Sequence, residues 1–440
     1  MANTLSNAMT EVGVKMLLLS LKEWVKSHQN DQIYHNNDYI DKCRHAAVKL
    51  ACAVTHSSTT KLHYIRLCDE YNIFTHDFLK EYLGTVLEKT TNLKELVSLN
   101  HPGVTLTSDL KNVMHWSGYI SPENLHDLAI ANCELMILNL NNPSVSDRSV
   151  HSILKFVKLI QLDIINTKLT ANGVESLIRG LKVCNSTENA SIFRRNHLTH
   201  LALKVCPRIL NVIPECLPNL TTLKLMLGEE MDLTVLKELK HLTYLSLKSS
   251  LGVDFACARS LIEQMGWQLK KLILDMSNVN LKFISKHCFK LQEFGIHVYL
   301  FDEEGNSHSL EHYKQHFPKE FKSVEKLNLI MFGYEFWDVL PCFLTCFTNV
   351  KIIKLFCDSE PESRNVSIGE CLLRPFKEGR LEEIFLNSYK LQLRGRHTVI
   401  YDNHGLYTVV MENELDDVIR ELIYPRGIFK LRRRVRFVLT

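Results

Sequence analysis

The chain has 440 residues, 45% hydrophobic and 23% charged, with a formal net charge of +3. That is globular composition, long enough for one large core or an extended repeat array, and no apolar stretch reaches the ~18 residues that a membrane-spanning helix needs. Thirteen cysteines without a single C-x-x-C argue against a secreted disulfide framework.

The charge is uneven. Residues 426–440 hold Arg426, Lys430, Arg432, Arg433, Arg434 and Arg436 and no acid, so a tail of +6 follows a body of −3. The N-terminus has no basic run before its short apolar stretch, which Lys15 interrupts, so it reads as an amphipathic helix and not as a secretory signal. Four N-x-S/T matches, at Asn185, Asn189, Asn219 and Asn365, are chance in a chain expected in the cytoplasm or the nucleus.

Residues 1–92 carry helical runs such as 42-KCRHAAVKLACAV-54 and 77-DFLKEYLGTVLEK-89 and no proline. An all-helical N-terminal region is expected, acting as a cap or as a docking segment for an adaptor.

From residue 93 to 390 one spelling returns. In 197-HLTHLALKVCPRIL-210 it is L-x-x-L-x-L-x-x-C, at Leu198, Leu201, Leu203 and Cys206. The first six positions recur from Leu135, Leu159, Leu220, Leu242 and Leu269, and more loosely from Leu291, Val324, Val350 and Leu381, mostly 22 to 33 residues apart. Alternate residues of a strand share a face, so the fourth and sixth positions point into one core. Each unit is too small to bury that face alone, so neighbours must stack. Between the strands lie helical stretches: 170-TANGVESLIRGL-181 with Thr170 as N-cap, 232-DLTVLKEL-239 and 256-ACARSLIEQM-265. Strand then helix, repeated, predicts an α/β solenoid with parallel strands on a concave face and helices on a convex face. The segment 125-LHDLAIANC-133 also fits, but only ten residues before Leu135. It is either an edge strand or a decoy.

The pattern resembles the leucine-rich repeat family over about residues 125–390. The tracts 133-CELMILNLNNPSVSD-147 and 159-LIQLDIINTKLT-170 are similar to the cysteine-containing repeats of F-box-type ubiquitin-ligase receptors. Cys206 stands at the family's Asn/Cys position, which elsewhere holds Pro143, Thr167, Gly228 or Ser250. The resemblance implies a non-enzymatic interaction module, and in the F-box subclass substrate selection for a ubiquitin ligase. The L-P-x-E opening and R-x-W ending of an F-box are absent from residues 1–92.

The polar stretch 182-KVCNSTENASIFRRN-196 reads as a surface insert. Residues 391–440 read as a C-terminal cap: a hairpin in 397-HTVIYDNHGLYTVVME-412, a helix over 413–423 and the basic tail. KLRRRVR, flanked by apolar residues, fits a structural strand, an import signal or a nucleic-acid contact. The tail makes a nuclear or RNA-associated scaffold the alternative function.

No phosphate loop, GxGxxG, G-x-S-x-G or HExxH is present. Cys342, Cys346 and Cys357 lack a fourth ligand at metal-site spacing, and His197, His200 and His241 read as ordinary histidines. No catalytic, cofactor or metal residues are assigned. The third, fifth and seventh template positions should face outward. They place His200, Lys204, Lys224, Met226, Tyr244, Lys248, Lys271, Lys326, Lys354, Phe356 and Phe385 on the concave face. A basic-aromatic surface suits an acidic protein segment with an apolar anchor, while the same lysines could simply keep a sheet face soluble.

Overall fold

The computed structural model of the chain describes residues 64–68, 95–99, 113–118, 120–132, 134–140, 143–182, 197–249, 253–299, 320–332, 340, 343–357, 383–386, 389–394, 397–401 and 407–411. The expected helices at 42–54, 77–89 and 413–423, nearly all of the 182–196 insert and the basic tail lie outside them.

The chain divides into two compact units, one formed by Met1–Lys204 with Asn211–Leu220, the other by Val205–Leu210 with Thr221–Thr440. The first unit carries β1 (Tyr64–Cys68), β2 (Glu95–Leu99), β3 (His115–Gly118), β4 (Ile137–Leu140), β5 (Gln161–Asp163) and β6 (His200–Val205). Each is paired in parallel with the next. The second carries β7 (Thr222–Leu227), β8 (Tyr244–Ser249), β9 (Lys271–Asp275), β10 (Glu293–Tyr299), β11 (Lys326–Phe332), β12 (Ile352–Cys357) and β13 (Glu383–Leu386), again parallel and in chain order. It ends in an antiparallel meander of β14 (Tyr389–Arg394), β15 (His397–Tyr401) and β16 (Tyr407–Met411). Over their described residues both units are α/β solenoid with parallel strands, and the hairpin read at 397–412 is β15–β16.

One carbonyl per repeat sets the register. The Thr221 carbonyl accepts from the amides of Thr243 (2.9 Å) and Tyr244 (3.0 Å), and the Thr243 carbonyl accepts from Lys270 (2.8 Å) and Lys271 (3.0 Å). The carbonyls of Lys270, Gln292 and Glu325 repeat the arrangement, as do those of Met114, Met136 and Ile160 in the first unit. The donors are always the second and third template residues of the next repeat. That lock aligns the fourth and sixth positions, so Leu245, Leu247, Leu272 and Leu274 are fully buried in one continuous row.

Between the strands the chain returns through α1 (Pro122–Ala131), α2 (Val150–Ile153), α3 (Ala171–Leu181), α4 (Pro207–Cys216), α5 (Ala256–Met265) and α6 (Leu281–His287). The stretch read as helical at 232–239 is a short 3-10 turn, Thr234–Glu238. Thr170 caps α3, its hydroxyl accepting from the Gly173 amide at 3.2 Å. The Asp147 carboxylate in turn accepts from the Thr170 amide (2.8 Å) and hydroxyl (2.5 Å). The "SD" before one helix therefore anchors the start of the next. In the longer repeats of the second unit, aromatic rings fill the added interior. Phe294 takes the place of a leucine, and Phe321 stacks on Phe347 with centroids 4.7 Å apart.

One sequence reading changes, and one open alternative closes. Residues 1–92 are not helical throughout, because β1 lies inside them and its parallel pairing with β2 crosses the boundary expected at residue 93. The segment 125–133 is no strand: its first seven residues are helical within α1, with Leu125 and Leu128 buried, Ile130 65% exposed and Ser121 capping the Asn124 amide. Its leucines sit three apart because that spacing also lines up one face of a helix.

Candidate partner-binding face

On β7 to β12 the fourth and sixth residues point inward, which leaves the third, fifth and seventh on the open face of the sheet. In the second unit this face holds Lys224 and Met226 from β7 and Tyr244 and Lys248 from β8. Lys271 and Asp275 follow from β9, Glu293 and His297 from β10, Lys326 from β11, and Lys354 and Phe356 from β12.

Tyr244 is the centre of one cluster. The Lys271 ammonium lies 4.4 Å from its ring centroid and that of Lys224 5.9 Å, one from each neighbouring strand. Burial, and the nearby Glu293 carboxylate after it, push the phenol up to about 12, so it stays neutral at physiological pH. Lys271 is held at 2.8 Å by Glu293, which also accepts from the Asn328 amide at 2.9 Å. Four residues further along each strand, Asp275 is 3.0 Å from His297 and stands in register with Lys248.

The basic reading of this face therefore needs correcting in detail. Five lysines share it with two carboxylates, Asp275 and Glu293. Lys271 is neutralised, while Lys248 and Lys326 have no ion pair among the described residues. Asp275 and Glu293 stand at a seventh and a third template position, and which lysine each one meets depends on the strand register. Apolar surface gathers at β12, where Phe356 is 51% exposed beside exposed Lys354. Phe385 lies on β13 opposite Lys354, and its side chain is outside the described residues.

His200 and Lys204 belong to β6 of the first unit. The Thr199 hydroxyl is 2.7 Å from Nδ1 of half-buried His200, and Lys204 is exposed. The face of that unit is mostly uncharged: the Asn139 side chain receives the Gln161 amide at 3.1 Å and reaches His115 Nε2 at 3.4 Å.

The described thiols offer little nucleophilic chemistry. Burial pushes Cys288 up to about 12 and Cys257 up to about 11, away from the thiolate. Cys346 is buried, and the side chains of Cys342 and Cys357 lie outside the described residues. No helix among the described residues is long and apolar enough to cross a membrane.

No protein-family model matches the chain, and no curated protein sequence does. Solved structures do. Rad7 from the Rad7–Elc1 complex in yeast is 11% identical over 81% of this chain and 92% of that one, with a TM-score of 0.46. The internalin inlF from Listeria monocytogenes is 13% identical over 64% of this chain and 88% of that one, with a TM-score of 0.32. TLR13 from its complex with ssRNA13 is 14% identical over 74% of this chain and 54% of that one, with a TM-score of 0.27.

Proposed function

We propose that this chain is a protein-interaction module without enzymatic activity, and that the open strand face of its second unit binds an acidic segment of a protein partner carrying an apolar anchor. The observation that carries this is the distribution of charge on β7 to β12. Lys224, Lys248 and Lys326 stand on rigid strands without carboxylate partners among the described residues, and the exposed Phe356 lies at one end. Strands set the spacing at which the lysines present their charge, and an exposed aromatic beside them supplies the buried centre that such interfaces use.

Affinity purification of the full chain, read by mass spectrometry beside the double variant K224E/K248E, tests this reading. Both side chains point away from the core, so the variant should melt like the wild type and lose the wild-type partner. An unchanged partner profile would show that these lysines only solvate the sheet.

The finer role, substrate selection for a ubiquitin ligase, is supported by the resemblance of the 133–147 and 159–170 tracts to F-box-type repeats. Cullin-ligase subunits in the same purification would bear it out, and their absence would leave only the interaction module.

A further inference from the structure

Trp267 is 50% exposed and Phe289 59% exposed, and both stand two residues before a fully buried leucine that opens a repeat, Leu269 and Leu291. The equivalent positions in the repeats on either side are Lys240 and Lys322, both exposed. The solenoid therefore does not require an apolar side chain here, and large aromatics in two consecutive repeats are an exception to its pattern.

The backbone beneath them is tightly fixed. The Gln268 side-chain amide donates to the carbonyls of Leu239 and Leu242, both at 3.0 Å, which ties the Trp267 turn to the preceding repeat. Gly266 packs so closely on the following one that a Cβ there would lie 2.8 Å from Cys288 Sγ and 3.1 Å from the His287 carbonyl oxygen. Only glycine lets the two turns approach this far. The turns bearing Trp267 and Phe289 are thus stacked and rigid, so burying the rings against a partner would cost little ordering entropy.

Two lysines stand within three residues of the rings in the sequence. Lys290 reaches over the Trp267 ring, 5.2 Å from its centroid. Lys270 and Lys290 are exposed and make no ion pair among the described residues.

We propose that Trp267 and Phe289 form a second docking patch, on the edge where the helices return to the strands. It receives a short protein segment with one large apolar side chain flanked by carboxylates. The rings cover the apolar side chain, and Lys270 and Lys290 face the acids. The patch lies on a different surface from the open strand face, and it stands whether or not that face binds.

The test presents the full chain to a peptide array in which one Leu, Phe or Trp sits between acidic residues. Matched arrays carry serine at the centre, or lysines in place of the acids. Vesicles rich in phosphatidylserine and single-stranded RNA are separate probes. The wild type should bind only the acidic peptides with an apolar centre. Such peptides suit the strand face as well, so the reading is made in the K224E/K248E background, where peptide binding remains and the further change W267A/F289A, which removes two exposed side chains, weakens it roughly tenfold or more. Equal binding with and without W267A/F289A in that background overturns the proposal, as does no peptide binding, or binding to the vesicles or RNA alone. Loss of this binding in K224E/K248E would move the site to the strand face and equally overturn it.

Discussion

The Lys271 ammonium and the Glu293 carboxylate meet at 2.8 Å across β9 and β10, on the open face of the sheet and beside the ring of Tyr244. This pair removes one lysine from the charge available to a partner. E293Q keeps the Oε1 that accepts from both Asn328 and Lys271 but removes the negative charge that neutralises the ammonium. Both side chains still reach solvent, 29% and 24% exposed, and the Gln keeps the acceptor, so stability should change by about 1 kcal/mol. The partner recovered with the wild type should be retained by E293Q to higher salt. Elution at the same or lower salt would contradict the role given to the lysines.

Leu245 is fully buried at the fourth position of its repeat. L245A should cost about 2–5 kcal/mol, the transfer of the lost side chain plus the cavity left behind. Chemical denaturation measures it. A loss under about 1 kcal/mol would mean that the register is wrong.

The Tyr244 phenol is pushed up to about 12, first by burial and then by Glu293. In the unfolded chain it titrates near about 10. The folded state holds this proton more tightly, so the contribution to stability is complete below about pH 10 and is lost as the pH rises through about 12. Melting temperature in this alkaline window should fall more steeply for the wild type than for Y244F. Parallel profiles would show that the phenol is as free as in the unfolded chain.

Burial also raises Cys257 to about 11 and Cys288 to about 12. At about pH 8, close to the pKa of a free thiol, a brief pulse of alkylating reagent should leave both unmodified in the native protein and label both after denaturation. Peptide mass spectrometry reads this directly. Rapid native labelling of Cys288 would mean that the interior of its repeat opens.

The sequence made the solenoid legible wherever leucine fills the inward positions, because burial at two-residue spacing admits few alternatives. It was less legible where other residues serve. Trp116 and Gly118 take the fourth and sixth places on β3, and Gly118 has φ of 127°, a backbone that a leucine would strain. Around β1 and β2 a signal was present and passed over: Leu62, Ile65 and Leu67 match the template outright, and Leu93 and Leu96 match it in part. The false match at 125–133 arose because leucines three apart serve a helix as well as a strand entry. The residues at the third, fifth and seventh positions of β7 to β12 can be named from the template, but their pairing is hidden. Whether Lys271 meets Glu293 depends on cross-strand register, which is fixed by backbone carbonyls such as that of Lys270 and not by the charged side chains themselves.

The central claim, that the open strand face of the second unit is where a partner binds, is most directly tested by photocrosslinking in cells. A photoreactive phenylalanine replaces Met226 on the strand face or the exposed Lys282 on α6. The Met226 position should crosslink to the protein recovered with the wild type, the Lys282 position should not, and adding K224E/K248E should abolish the crosslink. A partner captured from Lys282 and not from Met226, or a crosslink at Met226 that survives the charge reversal, would contradict it.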